Sequence, residues 1–546
     1  MRKVVLSIAI FILCLFSLQS KAQLVPDSTF GQNGYFITNY QGIATFAQRI
    51  KELSNGDILA VGTHDAEIRV WKYNSTGQLI TSFGTNGIAS NPALDLEAGN
   101  MHSLYDIEEY DNGKIMILSK LAIFVTNYDS MPYSIVLTSF NADGSVNTNF
   151  NGTGYLKDNP DVNYEFNPFS LLVNKSENTE FFVGGEAYEK GHSTCPAGKG
   201  KWFISKYKAN GTRDLSFNAT GYLLKSAQVM APGALYPHGR LRDLAFMPNG
   251  SVRAVGAYHN LDKSFFDFAV KQDGTFDSSF ATNGISNYQV NYDVLFLETG
   301  TWSKILPDGS ALFYTTSYGT TNSLVKFVKH KVDGSMDTNF GVNGLLTLDV
   351  PTQVNFNIIY KSDNSMLLTY YKQYGTDQKI EFIRIKAQGV VDSSFGTNGL
   401  LVTQPIVPDV YVNPSSIFDG IWNANETALF VSAAKQPVTY SNYGIFKYKW
   451  PGLTPLTVKN ISEEEQSGIY PNPVKRGSVL HVTNLSLDSK LSLISIEGKL
   501  FNPLMKRTSS SSTSIEIPKH LATGIYYLRI QHAKQSKPQT IPMIVD

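Results

Sequence analysis

Apolar and polar residues alternate in short runs along most of this chain. Ile58-Leu59-Ala60-Val61 and Ile115-Met116-Ile117-Leu118 each follow an Asn-Gly step, at Asn55-Gly56 and Asn112-Gly113. Asn-Gly and Asp-Gly favour the positive φ of tight hairpin turns, so an apolar run beside one reads as a strand leaving a hairpin. Asn249-Gly250 and Asp308-Gly309 repeat the arrangement, and further strands read at residues 68–73, 203–207 and 266–270. A short strand follows each of the loops described next, as at residues 34–38. The pattern predicts units of about four strands.

The units repeat. Phe30, Phe83, Phe150, Phe217, Phe280, Phe340 and Phe395 each have a Gly four residues later: Gly34, Gly87, Gly154, Gly221, Gly284, Gly344 and Gly399. The last six also have a Gly six residues earlier: Gly77, Gly144, Gly211, Gly274, Gly334 and Gly389. Asp stands three before Phe in five copies (Asp27, Asp214, Asp277, Asp337, Asp392), with Ile80 and Asn147 in the other two. Gly suits the turns, Asp accepts backbone N–H groups in Asx-turns, and Phe reads as the anchor that pins the loop to the core. A motif present in seven copies is a structural device and not an active site. Four strands per unit at this period is the content of a propeller blade.

The two ends of the array are complementary. The first unit lacks the strand that should precede its Phe loop. Residues 447–452 (Lys-Tyr-Lys-Trp-Pro-Gly) match residues 72–77 (Lys-Tyr-Asn-Ser-Thr-Gly) in register at Lys, Tyr and Gly, and supply that strand. Pairing them closes the ring and removes an exposed sheet edge. The expected fold is therefore all-β: a seven-bladed β-propeller over residues 23–452, a linker at 453–468, and a small C-terminal β-sandwich at 469–546.

Composition narrows the function. Lys+Arg and Asp+Glu are balanced at 46 each, so the basic footprint of a nucleic-acid binder is missing. Arg2 and Lys3 precede an apolar stretch, and Ser20 and Ala22 are small residues placed for cleavage before Gln23. Residues 1–22 therefore read as a signal peptide. No later segment is long and apolar enough to span a bilayer as a helix. Cys195 is the single cysteine left after cleavage, which excludes an internal disulfide.

The repeated loops resemble the delta-60 repeat family, best at Asp277-Ser278-Ser279-Phe280 and at residues 392–399 (Asp-Ser-Ser-Phe-Gly-Thr-Asn-Gly). That resemblance implies a β-propeller-like repeat protein and carries no catalytic residues. Residues 469–546 resemble the type A C-terminal sorting domain of type IX secretion. The carrying residues are Tyr470-Pro471-Asn472-Pro473, Gly498 within Ser495–Lys499, and Gly524 and Tyr526 within Leu521–Ile530. Read physically, Pro471 and Pro473 hold an extended entry, and Ile525, Tyr527 and Arg529 share one face of the last of these strands. This second resemblance implies a Gram-negative source, Sec export, the type IX machinery as partner, and a secreted or outer-cell-surface location.

No catalytic, cofactor-binding or metal-ligating residue is assigned. The nine His are scattered, and no phosphate or dinucleotide loop is present. Two loops depart from the repeat: residues 189–201, holding His192 and Cys195, and residues 227–242, holding Tyr236, His238, Arg240 and Arg242. A third candidate surface is the end of the second strand of a unit, where His64, Glu186 and His259 are read as equivalent. The leading functional reading is a non-enzymatic binding platform for a glycan or a protein. The alternatives are a propeller hydrolase or lyase acting on polysaccharide, and a purely structural surface component.

Overall fold

The structure is a computed structural model. It describes residues 24–38, 45–64, 67–95, 100–123, 133–190, 200–226, 239–258, 264–289, 297–318, 322–351, 356–374, 377–403, 412–435, 442–449, 469–483, 489–495, 499–507, 512–531 and 539–546. The signal segment with Ala22 and Gln23, and the positions of His192, Cys195, Tyr236, His238, His259 and Gly498, lie outside these residues. The chain divides into two compact units, Met1–Leu453 and Thr454–Asp546.

In the first unit the described residues form seven sheets joined by turns, with one short helix at Pro92–Asp95. Thr45–Glu52, Ile58–His64, Glu67–Tyr73 and Ile88–Ala89 make one of them, in chain order, each strand antiparallel to the next. Five further sheets repeat that order, with first strands Asn100–Glu109, Tyr164–Val173, Gly239–Phe246, Leu297–Ile305 and Phe356–Tyr360. The remaining sheet is built from both ends of the unit. Val412–Trp422, Ala428–Lys435 and Asn442–Lys449 supply three strands, and Val25–Pro26 and Tyr35–Ile37 pair with the last of them. Val25 faces Lys449, Pro26 faces Tyr448 and Tyr35 faces Phe446. Tyr448 faces Leu429 as Tyr73 faces Ile58, so the register read from Lys447-Tyr448 against Lys72-Tyr73 is the one observed.

The sheets join into a propeller-like ring. Hydrophobic clusters span neighbouring sheets, such as Leu59, Val61 and Val70 of one sheet with Ile107, Ile117 and Val136 of the next. All seven anchor Phe rings are buried at 0–2% exposure. The anchor does more than pin its own loop. A Cβ on Gly144 would meet the ring of Phe83 at 2.9 Å, and one on Gly211 would meet Phe150 at 3.1 Å. The N–H after six of the anchors also donates to the next unit's turn, as Gly84 does to Asp143 O at 2.7 Å and Asn151 to Asn210 O at 2.9 Å. Gly77, Gly144, Gly211, Gly334 and Gly389 are thus seats for the preceding unit's ring, and Gly274 instead meets Asn218.

One buried charge network breaks the repeat. Arg253 donates to both oxygens of Asp267 at 2.9 and 2.5 Å, and His330 of the next sheet lies 3.1 Å from the same carboxylate. All three are almost fully buried. They tie two sheets together, and no repeated motif announced them.

The second unit has two four-stranded sheets around one core that includes Leu480, Leu493, Ile515 and Leu528. Tyr526, Leu528 and Ile530 point into that core, and Ile525 and Tyr527 point out. The entry is bent and not extended: the bonds before Pro471 and Pro473 are both cis. Asn472 accepts the N–H of Ile544 at 2.8 Å and donates to Pro542 O at 3.2 Å. Among the described residues no helix is long and apolar enough to cross a membrane.

Candidate functional site

The first strand of each sheet faces the centre of the ring. Residues of these strands, with their hairpin turns, line a cavity of about 840 Å³. A β-bulge interrupts most of them at nearly the same point: between Ala47 and Arg49, Leu104 and Asp106, Pro168 and Ser170, Leu241 and Asp243, and Ile417 and Asp419. Bulges re-aim side chains, and here they turn two successive residues of a strand towards the cavity wall.

The residue after each bulge fastens the neighbouring sheet. Asp106 accepts the N–H of Leu171 at 3.0 Å, Ser170 Oγ that of Leu244 at 3.2 Å, and Asp243 that of Ile305 at 2.8 Å. Asp419 accepts the N–H of Ile50 at 3.0 Å and carries the girdle across the chain's own seam. These carboxylates therefore hold backbone donors of the next sheet's first strand, which is an edge strand with no further ladder partner.

Charged and aromatic side chains fill the hairpin end. Lys304 lies 3.1 Å from Asp243, and Lys51 and Lys175 each lie 2.9 Å from Glu108. Lys361 pairs with Glu426 at 3.3 Å, and its amine sits 4.8 Å from the centre of the Trp422 ring. Trp302 stacks on Tyr314 with centroids 5.4 Å apart. Burial, and then the neighbouring Glu108, push the Asp106 carboxyl up to about 6. Burial also raises Asp419. Glu108 goes the other way, because Lys51 and Lys175 outweigh its burial.

A second cluster lies towards the opposite end of the same strands. Glu186, 1% exposed, accepts from Asn167 Nδ2 at 2.7 Å and from Arg240 Nε of the next sheet at 2.9 Å. Tyr105 donates to Asn167 Oδ1 at 3.2 Å, and burial, reinforced by Glu186, raises its phenol to about 12. His64 is engaged elsewhere, its Nδ1 2.8 Å from Thr45 Oγ1.

One expectation changes here. His64 and Glu186 are not equivalent. Thr45 pairs with His64, whereas Asn167, one register step further along its strand, pairs with Glu186. Gly184 takes the place of Val61, so the shared Val-Gly dipeptide misaligned the strands by one residue and reversed the face. Arg242, at the end of the second irregular loop, lines the cavity, and most of the two loops lies outside the described residues. The irregular loops at 189–201 and 227–242 follow second and fourth strands, which run opposite to the first. The charged and aromatic wall of the described cavity lies at the hairpin end of the first strands. A signal was present in the sequence: charged residues just before each hairpin dipeptide, such as Arg49 and Lys51, Asp106 and Glu108, and Lys304.

Solved structures were compared with the chain. The polysaccharide lyase Uly1 is 12% identical with a TM-score of 0.41, over 79% of this chain and 98% of that one. A catalytically inactive virginiamycin B lyase from Staphylococcus aureus is 8% identical with a TM-score of 0.36, over 76% and 98%. The Hadza microbial sialidase Hz136 is 9% identical with a TM-score of 0.37, over 73% and 74%. No curated protein matches the chain. Residues 468–543 match the family described as secretion system C-terminal sorting domain, so the chain carries at its C-terminal end the module that marks proteins exported by type IX secretion to the cell surface or the extracellular space.

Proposed function

We propose that the first unit is a non-enzymatic, delta-60-type repeat ring that binds a glycan in its central channel once the chain has been exported. One observation carries this reading: the channel carboxylates are engaged in holding neighbouring sheets, while rings and amines face the cavity. Asp106, Asp243 and Asp419 each accept a backbone N–H from the adjacent sheet. Trp302, Tyr360 and Trp422, only partly buried, line the cavity beside Lys304 and Lys361. A concave site with aromatic walls and a few fixed polar groups suits a ligand with apolar faces and hydroxyl edges, as a saccharide has.

The test is a glycan and cell-surface-protein binding screen on the full chain, run beside hydrolase and lyase assays. The expected result is saturable glycan binding without turnover, weakened about ten-fold or more by Trp302→Ala combined with Trp422→Ala. Capture of a surface protein and no glycan would overturn the assignment of ligand.

A second reading is a polysaccharide-acting enzyme, and the Asp106 carboxyl favours it. A group raised to about 6 can exchange a proton near neutral pH. On that reading Asp106→Asn abolishes turnover while glycan binding persists. A wild-type chain that binds glycans and turns none of them over removes it.

A further inference from the structure

Arg242 occupies the bulge of its strand, between Leu241 and Asp243, and lines the central cavity. Its guanidinium lies 4.4 Å from the centre of the Phe169 ring. Its Nε is buried and has no hydrogen-bond partner. Among the described residues no carboxylate forms an ion pair with it. Burial, and then the nearby Arg240, lower its pKa against the smaller opposing field of Glu186.

The surrounding acids are all engaged. Glu186 holds Asn167 and Arg240. Asp243 holds the Ile305 N–H and Lys304. Glu108 is shared by Lys51 and Lys175. The other nearby guanidinium, Arg49, donates to the carbonyls of Tyr105 and Gln48 and brings no negative charge. The residue as a whole is only partly buried at the cavity wall, but its Nε is shut away from solvent and unpaired, and a fold keeps such a donor where something else completes it. A guanidinium stacked on a ring presents a flat, pre-set fork, which matches an oxyanion in two parallel hydrogen bonds.

We propose that Arg242 holds an oxyanion of the channel's ligand, a uronate carboxylate or a sulfate ester, so that the site selects acidic over neutral saccharides. The proposal rests on the glycan-binding reading above and names its substrate class.

Calorimetric titration of the full chain tests it with three probes: a uronate hexasaccharide, a sulfated hexasaccharide and an unsubstituted neutral hexasaccharide. Wild type is expected to prefer one of the acidic probes, and which one it prefers identifies the oxyanion. Arg242→Gln should weaken the acidic probe about ten-fold or more and leave the neutral probe within about two-fold. Arg242→Lys, which keeps charge but loses the fork, should fall between. The contact with Phe169 is lost in Arg242→Gln, so its melting temperature should fall slightly. A role confined to that packing would lower it while leaving the affinity for the acidic probe unchanged. Should any variant fold poorly, wild type alone still decides: raising NaCl from about 50 to about 500 mM should weaken the acidic probe and spare the neutral one. Equal affinity for all three probes, or an Arg242→Gln chain that binds the acidic probe as wild type does, overturns the assignment of Arg242 and leaves glycan binding standing. Failure of all three to bind wild type overturns both.

Discussion

Asp27 shows what a single residue of the repeat contributes. It is 1% exposed, and its carboxylate meets Lys449 at 2.7 Å, Lys447 at 3.3 Å and the hydroxyl of Thr29 at 2.6 Å. Burial alone would raise its pKa, but Lys449, Thr29 and Lys447 together lower it to about 2. A depressed carboxylate stabilises the fold above its ordinary pKa of 3.8, and that contribution is lost as pH falls from there through about 2. Asp27→Asn should therefore cost about 1–3 kcal/mol at pH 7, and the deficit should shrink as pH falls from about 4 through about 2. Urea unfolding at pH 7, 4 and 2 measures this, and a deficit independent of pH would show that charge is not the cause. The Asp-x-Ser/Thr-Phe pattern was legible in sequence because each Asx-turn closes within two residues. Asp27's lysines were not, because they lie on a strand more than 400 positions away and only ring closure brings them near.

At the scale of elements, the repeated glycines divide into two kinds that look alike in sequence. Gly56 and Gly144 share a φ of +83°, which an L side chain adopts only under strain. A Cβ on Gly56 would meet nothing within 4 Å, whereas one on Gly144 would lie 2.6 Å from Gly84 N and 2.9 Å from the Phe83 ring. Gly56→Ala should cost about 1 kcal/mol from the backbone alone, and Gly144→Ala a further 1–3 kcal/mol or so from the displaced neighbouring sheet. Equal melting temperatures for the two variants would contradict the seat described for the Phe ring. Strands and hairpins were legible here because Asn-Gly steps and alternation are local signals. The bulges were not, since nothing in Gln48, Tyr105, Phe169 or Arg242 marks them as one structural position. The cavity wall followed them out of sight, because a bulge is defined by its partner strand and not by its own residues.

For the molecule as a whole, the sorting module makes a prediction about place. A chain ending at residue 468 should accumulate inside the cell envelope, whereas the full chain reaches the surface or the medium. Fractionation and immunoblotting decide it, and equal appearance outside would exclude residues 469–546 as the export signal. Ring architecture and module were both legible in sequence, the first from seven spaced anchors and the second from three ordered motifs. The seam of the ring carries a consequence for timing. Thr38 pairs with Tyr443, 405 positions later. The strands that begin the ring are made first and find their partner last, so until then they wait with an open edge. Residues 442–449 act as the final stitch: a chain cut short before them keeps six of its sheets but cannot complete the seventh, which gives the cell a simple chemical distinction between a finished molecule and a fragment.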